Sequence, residues 1–311
     1  MLDTVAKGAF HVLARSRALK NLVSRYGMAN DRSFARRFVA GEDIDEALKA
    51  CRDLKERGLA VTLDHLGESV TSLVEADAAA RDYLRLMERV AAAGLDRNIS
   101  IKLTQLGLDV DRGICVDNVR RILEAAKTLD FFVRIDMENH PYVQRTLDVF
   151  DTIWQQEYRN AGLVLQSALY RSEGDLEHAI ALGARVRLVK GAYKEPKSVA
   201  YQKKADVDRA YLRMLRRLLV EGNYPAVATH DVAMIADARQ VAEQHRIERD
   251  RFEFQMLYGI RRDIQSALVA DGYRLRIYVP YGREWFPYFM RRLGERPANV
   301  MFVVRSVVAE R

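Results

Sequence analysis

Two adjacent arginines, Arg291 and Arg292, stand in a segment from Trp285 to Leu293 that is otherwise aromatic and apolar. A guanidinium group is charged at any workable pH, and its planar fork matches a carboxylate or a phosphate bidentately. We interpret the segment as a helix that closes over an anionic ligand and shields it from water. Most Arg-Arg pairs lie on solvated helix faces, so a surface helix remains an alternative. The same dipeptide occurs elsewhere in the chain, at 36–37, 120–121, 216–217 and 261–262.

Polar residues also follow several short runs of β-branched and aromatic residues, at the points where predicted strands end. A single residue of this kind is as often a helix cap or an ion-pair partner as a functional group. Opposite charges at the ends of many strands, however, favour a ligand site. The residues in these positions are Asp64, Glu68, Lys102, Asp136, Gln166, Thr229, His230, Asp231, Gln255 and Tyr278.

The richest strand end is Arg-Leu-Val-Lys-Gly-Ala-Tyr at 187–193. Alternation along a strand predicts that Arg187 and Val189 share one face, and that Leu188 and Lys190 share the other. The glycine that follows, Gly191, lets backbone amides approach a ligand closely, and Lys190 adds a positive charge suited to a phosphate.

The motifs that the chain lacks narrow the kind of site. GxGxxG, GxxxxGK[ST] and GxSxG are absent, so we expect no Rossmann site, P-loop or hydrolase nucleophile elbow. The histidines form no HxH or HExxH arrangement, so we expect no metal. We interpret His230 as a contact for a pyrophosphate or a ring.

The elements that must position these residues repeat along the chain. The stretches between the predicted strands read as amphipathic helices, for example 117–127 and 207–219. Strand starts recur every ~20–40 residues, which predicts an α/β fold of the closed (β/α)₈ type. A doubly wound sheet is the alternative. We predict residues 1–58 as an N-terminal helical extension packed on the barrel and 59–311 as the barrel. The predicted strands are 59–63, 99–103, 131–135, 163–165, 186–189, 226–228, 252–254 and 275–279.

Composition indicates one large domain in a reducing compartment. The chain has 311 residues, 49% of them hydrophobic, and no Gly-, Ser- or Pro-rich linker divides it. Cys51 and Cys115 lack CxxC spacing, so we expect neither a disulfide framework nor a zinc knuckle. There is no apolar run of about 18 residues, and charges interrupt the N-terminus, so we expect no membrane span and no signal peptide. The expected location is cytoplasmic.

The net charge of +7 is spread along the chain and interleaved with acidic residues. We therefore expect no nucleic-acid partner. Residues 1–37 are more basic and look amphipathic. Packing against the barrel is the favoured interpretation of this segment, and peripheral contact with the inner face of the cell membrane is the alternative.

Six segments, taken together, resemble proline dehydrogenase. The match runs in order from about residue 60 to the end, and it resembles the single-activity form rather than the bifunctional fusion with an aldehyde dehydrogenase. One departure is Asp231, where the family commonly carries Asn. The matching segments are Leu-Gly-Glu at 66–68, Ile-Lys-Leu at 101–103, Arg-Leu-Val-Lys-Gly-Ala-Tyr at 187–193, Ala-Thr-His at 228–230, Phe-Glu-Phe-Gln-Met-Leu-Tyr-Gly at 252–259 and Tyr-x-x-Arg-Arg-x-x-Glu at 288–295.

This resemblance implies a distorted (β/α)₈ TIM-type barrel that holds FAD non-covalently over its carboxyl face, with the last helix on top. It implies oxidation of L-proline, or a similar carboxylate, to 1-pyrroline-5-carboxylate by hydride transfer to N5 of FAD. Electrons would then pass to a membrane quinone. A pyrroline-5-carboxylate dehydrogenase would be the downstream partner.

The resemblance also implies roles for individual residues. Asp136 would be the site carboxylate and Arg187 the basic residue beside N5 of the flavin. The substrate carboxylate would bind Lys102, Arg291 and Arg292, and the ring would pack against Tyr278, Tyr288 and Leu257. Flavin contacts would come from Met137, Gln166, Arg187, Lys190, Gly191, Ala192, Thr229 and His230.

A gate over the site is predicted from topology. In a closed barrel the first strand neighbours the eighth, so Glu68 after the first strand should pair with Arg291 in the last helix. Glu295 is predicted to belong to the same gate. An exposed ion pair contributes only ~0–1 kcal/mol, so such a pair would open readily.

Two other functions remain open from the sequence. A Schiff-base lysine aldolase on the same barrel would also place Lys102 or Lys190 at a strand end. A non-catalytic interaction domain would bind neither a cofactor nor a small acid.

Overall fold

The computed structural model describes Met28 and residues 33–295. Within this part of the chain, eight parallel strands close into a barrel in sequence order, and the last strand pairs with the first. The closed barrel confirms the predicted (β/α)₈ class. It excludes the doubly wound alternative, whose sheet would be open at its edges.

Strands and helices alternate along the described residues. A 3₁₀-helix at Phe34–Arg37 comes first. The elements after it are α1 Ile44–Glu56, β1 Ala60–His65, α2 Leu73–Ala92, β2 Asn98–Ile101, α3 Arg112–Thr128, β3 Phe132–Ile135, α4 His140–Gln155, β4 Ala161–Gln166, α5 Ser172–Ala181, β5 Arg185–Val189, α6 Lys204–Glu221, β6 Ala226–Ala228, α7 Val232–Gln244, β7 Glu253–Leu257, α8 Arg262–Ala270, β8 Leu275–Tyr281 and α9 Trp285–Glu295.

Several strands separate an apolar side from a polar one, because successive side chains alternate across a strand. On β1, Val61 and Leu63 are fully buried in the apolar core shared with the helices. Between them Thr62 faces the barrel interior, where its hydroxyl lies 3.4 Å from that of Ser100 on β2. The interior of this barrel therefore carries polar and charged groups, while the layer between strands and helices is apolar.

The predicted helices 117–127 and 207–219 lie inside α3 and α6. Several helices begin at a side-chain cap: Asp43 accepts from the amide of Glu46, and Ser72 from that of Glu75. Strand β4 is longer than predicted at both ends, and β7 continues past its predicted end at 254 to Leu257; Gln166 and Gln255 are buried polar residues in these added parts.

Most of the predicted extension at 1–58 lies outside the described residues, including nearly all of the basic segment 1–37. In the described part, α1 buries Leu48, Cys51 and Leu54 in the barrel core and contacts β1 and β8. Phe38, just before α1, packs against Phe289 of α9 with ring centroids 6.1 Å apart. Among the helices that the structure describes, none combines the length and apolar character needed to cross a membrane.

Candidate active site

A cavity of about 400 Å³ opens at the carboxyl ends of the strands, beneath α9. The structure thus places the last helix over the carboxyl face, as predicted. Every residue predicted to bind substrate or cofactor lines this cavity. They are Lys102, Asp136, Met137, Gln166, Arg187, Lys190, Gly191, Ala192, Thr229, His230, Leu257, Tyr278, Tyr288, Arg291 and Arg292.

Arg187 and Asp136 form the floor of the cavity. Arg187 donates from Nη1 to Asp136 Oδ1 at 2.7 Å, and from Nε to Gln255 Oε1 at 2.5 Å. The Tyr278 hydroxyl donates to the other oxygen of Asp136, Oδ2, at 2.7 Å. Burial, together with the Asp136 charge, raises the pKa of Tyr278 well above its ordinary value, so this phenol stays protonated. Asp136 is therefore held by two donors.

Lys102 follows β2 and is buried beside two carboxylates. Its ammonium lies 2.7 and 2.9 Å from the two oxygens of Asp64 and 3.7 Å from Asp136 Oδ2. Burial opposes the charge, but Asp64 and Asp136 outweigh it and raise the pKa of Lys102. The pairing with Asp64 and the raised pKa both oppose a role of Lys102 as a Schiff-base nucleophile.

The two arginines of α9 both face the cavity. Arg291 donates to Glu68 at 2.7 and 3.3 Å, so the predicted ion pair is present; its role as a gate stays a prediction. The Arg292 guanidinium lies 5.1 Å from the ring centroid of Tyr288, and Arg292 is only 7% exposed. Neither arginine is the solvated surface group of the alternative interpretation. The side chain of Glu295 lies outside the described residues.

The cavity is also lined by the residues predicted to bind the cofactor. Lys190 lies 2.6 Å from Asp208 and 2.8 Å from Asp231. Alternation predicted that Lys190 faces away from Arg187. Lys190 pairs with Asp208 of α6 and with Asp231, whereas Arg187 bonds to Gln255 and Asp136 in the barrel interior.

Asp231, the departure from the family pattern, has two roles in the structure. It caps α7 by accepting from the Ala233 amide at 3.1 Å, and it pairs with Lys190. Burial acts in the opposite direction, but the Lys190 contact lowers the pKa of Asp231 below its ordinary value. A charged carboxylate therefore offsets the Lys190 charge at this end of the cavity.

The residues on this side fit a flavin. Gly191 has φ of 107°, a conformation that favours glycine, and both Gly191 and Ala192 expose their backbone. Val164 and Leu257 give an apolar wall against which a planar ring can stack. His230 is oriented by a hydrogen bond that its Nε2 accepts from the Leu257 amide at 2.9 Å.

Four residues near the cavity were given no role by the sequence. Asp64 holds Lys102, and Gln255 and Ser100 hold Arg187. Tyr193 lines the cavity, and burial together with the Glu68 charge raises its pKa. Alternation along β2 and β7 marks Ser100 and Gln255 as interior positions, but it does not show which side chain each one meets.

A closed parallel barrel with its ligand cavity at the carboxyl ends of the strands has the organisation of a barrel enzyme. Comparison with known proteins gives the family. The family model described as proline dehydrogenase matches residues 47–305. The chain therefore belongs to the proline dehydrogenase family, as its motifs predicted.

Individual relatives agree over almost the whole chain. Proline dehydrogenase 2 of Bacillus subtilis (strain 168) is 40% identical, covering 97% of this chain and 99% of that one. Proline dehydrogenase of Deinococcus radiodurans is 43% identical and covers 99% of both chains. A crystal structure of proline utilization A (PutA) from Bdellovibrio bacteriovorus, inactivated by N-propargylglycine, is similar to this chain with a TM-score of 0.79 and 26% sequence identity. The match covers 91% of this chain and 38% of the PutA chain.

Proposed function

We propose that the protein oxidises L-proline to 1-pyrroline-5-carboxylate with FAD held at the barrel mouth, and that electrons then pass to a membrane quinone. The observation that carries this proposal is the convergence of Lys102, Arg291 and Arg292 on one cavity. One comes from the end of β2 and two from α9. The curated relatives over the full length are named for proline dehydrogenase.

The cation cluster suits the carboxylate of a small amino acid. Lys102 and Arg291 are oriented by Asp64 and Glu68 before any substrate binds. These carboxylates also offset part of the positive charge, so a single substrate carboxylate does not face an uncompensated cluster. Tyr278, Tyr288 and Leu257 supply the less polar surface on which a pyrrolidine ring packs.

The protein's contribution to the reaction is mainly positioning. Bound FAD supplies the hydride acceptor. The cavity must hold C5 of the substrate within about 3.5 Å of that acceptor. Positive charges around the substrate amine depress its pKa and favour loss of its proton. Arg187 and Tyr278 both donate to Asp136 and fix its position in the cavity.

The Schiff-base aldolase is less well supported. That chemistry needs a lysine that gives up its proton readily, whereas Lys102 is held by Asp64 and its pKa is raised. Lys190 is paired with Asp208 and Asp231.

A visible absorption spectrum of the purified protein separates the two functions. We expect a yellow protein with flavin bands, and no covalent adduct when borohydride is added with a carbonyl substrate. A colourless protein that takes up no FAD and forms a borohydride-stable adduct would overturn the proposal.

A further inference from the structure

A second cavity, of about 670 Å³, lies at the opposite end of the barrel. Its walls include the first residues of several strands, such as Asn98, Phe132 and Arg185, which places it at the amino ends of the strands. We call it the base cavity. Six arginines line it against three carboxylates, Asp96, Asp130 and Glu253, so positive charge is in excess. The arginines are Arg97, Arg134, Arg159, Arg185, Arg274 and Arg276.

Few of these arginines form an ion pair with the three carboxylates. Glu253 pairs with Arg276 at 2.8 Å and with Arg274 at 3.6 Å. Within the described part of the chain, the other four arginines form no ion pair. Three of them donate to backbone carbonyls instead: Arg97 to Leu129, Arg159 to Trp154, and Arg134 to Leu163 and Arg185.

Arg134 is the most deeply placed of the four. It is only 3% exposed, and its guanidinium lies 4.8 Å from the centroid of the Phe132 ring. The Arg185 guanidinium lies 5.1 Å from the same centroid, so both guanidinium groups contact the Phe132 ring. Burial, and then the charges of Arg187 and Arg185, lower the pKa of Arg134. A buried cation bonded to carbonyls and near other cations is costly unless an anion compensates it.

The backbone makes room for this arrangement. A Cβ at Gly162 on β4 would lie 2.7 Å from Arg134 Nη1 and 2.6 Å from the Arg185 carbonyl oxygen. Any larger residue at 162 would displace the Arg134 guanidinium. The glycine in β4 thus leaves the space that the Arg134 guanidinium occupies at the edge of the cavity.

We propose that the base cavity binds a small, multiply charged oxyanion, a phosphate or a dicarboxylate, with Arg134 and Arg185 as its principal ligands. The guanidinium fork matches either anion bidentately. Arg159, exposed at the rim, adds positive charge along the entry. This site lies at the end of the barrel away from the cavity under α9, and the proposed oxidation of proline does not require it.

Isothermal titration calorimetry of the protein as purified tests this site, with inorganic phosphate in one arm and succinate in the other, at constant ionic strength. We expect saturable binding of at least one of them, and the arm that binds more tightly identifies the anion class. Arg185→Gln and Arg159→Gln should each weaken that binding, Arg185→Gln by tenfold or more. Arg209→Gln is the control, because Arg209 is an exposed residue of α6 paired with Asp206.

Two results would overturn the proposal. One is the absence of saturable binding by either anion. The other is binding that persists unchanged in both Arg185→Gln and Arg159→Gln, since the anion would then lie elsewhere, for instance among the cations under α9.

Discussion

At the scale of single residues, carboxylates hold several of the cations that line the cavity under α9. Asp64 holds Lys102, and Asp136 holds Arg187. These side chains are therefore fixed in position before a substrate enters, which reduces the ordering cost of binding. Removing either partner of such a pair would leave the other charge in the cavity without its counter-ion.

Replacing Arg292 by alanine should weaken the binding of proline far more than the binding of flavin. Loss of one guanidinium from a shielded site costs about 2–5 kcal/mol in binding, which is on the order of a 30-fold or larger rise in KM. Steady-state kinetics and the flavin content of the purified variant measure the two effects. Arg283→Ala, an exposed residue before α9, is the matched control. A normal KM for Arg292→Ala would show that this arginine does not bind substrate.

A pH dependence follows from the pair of Asp64 and Lys102. The pKa of Lys102 is raised in the folded protein, so its contribution to stability is fully present below the ordinary lysine value of about 10.4 and is lost as pH rises through the folded value. Asp64→Asn removes the carboxylate that does most to raise this pKa. The variant's KM for proline should then increase between about pH 7 and about pH 10.

The wild-type protein and Asp45→Asn, whose carboxylate is exposed on α1, should show no such increase. Equal KM profiles for Asp64→Asn and the wild-type protein would contradict this role of Asp64.

At the scale of elements, an ion pair connects α9 to the loop after β1. Arg291 and Glu68 join them, and both side chains are about a quarter exposed. Because neither side chain is fully buried, we predict that this contact breaks and reforms during turnover.

Glu68→Ala should raise the KM for proline while leaving flavin content and thermal unfolding nearly unchanged, because the pair positions Arg291 rather than supporting the fold. Glu68→Gln keeps a hydrogen-bond acceptor without the charge. Its KM for proline should therefore lie between those of Glu68→Ala and the wild-type protein. A structure with a bound substrate analogue in which Glu68 points away from Arg291 would rule out the gate.

The sequence predicted much at this scale. Alternating strands and helices predicted the barrel, and polar strand ends predicted part of the cavity, because the carboxyl ends of parallel strands meet at one face. The resemblance to proline dehydrogenase supplied other residues of the cavity, such as Met137, Leu257 and Tyr288. It did not predict the pairing of Gln255 with Arg187 or of Asp64 with Lys102. Those contacts depend on strand register and side-chain reach across the barrel. Nor did it predict that Lys190 pairs with Asp208 and Asp231, which lie outside the strands.

At the scale of the whole molecule, hydrogen bonds run through the barrel interior from base to mouth. Arg276 pairs with Glu253, Glu253 accepts from Gln255 at 2.5 Å, and Gln255 accepts from Arg187, which holds Asp136. The interior of the barrel therefore supports the fold and also orients the arginine on the floor of the cavity.

Gln255→Met should disturb both roles. It leaves the buried Arg187 Nε without its acceptor, which costs about 1–3 kcal/mol of stability, and it frees Arg187 to move. We expect a lower thermal unfolding midpoint and a kcat that falls more than KM changes. Gln240→Met, at an exposed position on α7, is the control. A stable variant with unchanged kcat would show that the interior network does not orient Arg187.

Anaerobic titration of the purified protein with L-proline, followed by visible absorption, tests the central claim most directly. We expect that oxidised flavin is present and that L-proline bleaches it. The amount of 1-pyrroline-5-carboxylate formed should equal the amount of flavin reduced. An oxidised flavin spectrum unchanged by saturating L-proline, or a protein that binds no flavin even when FAD is added, would contradict it.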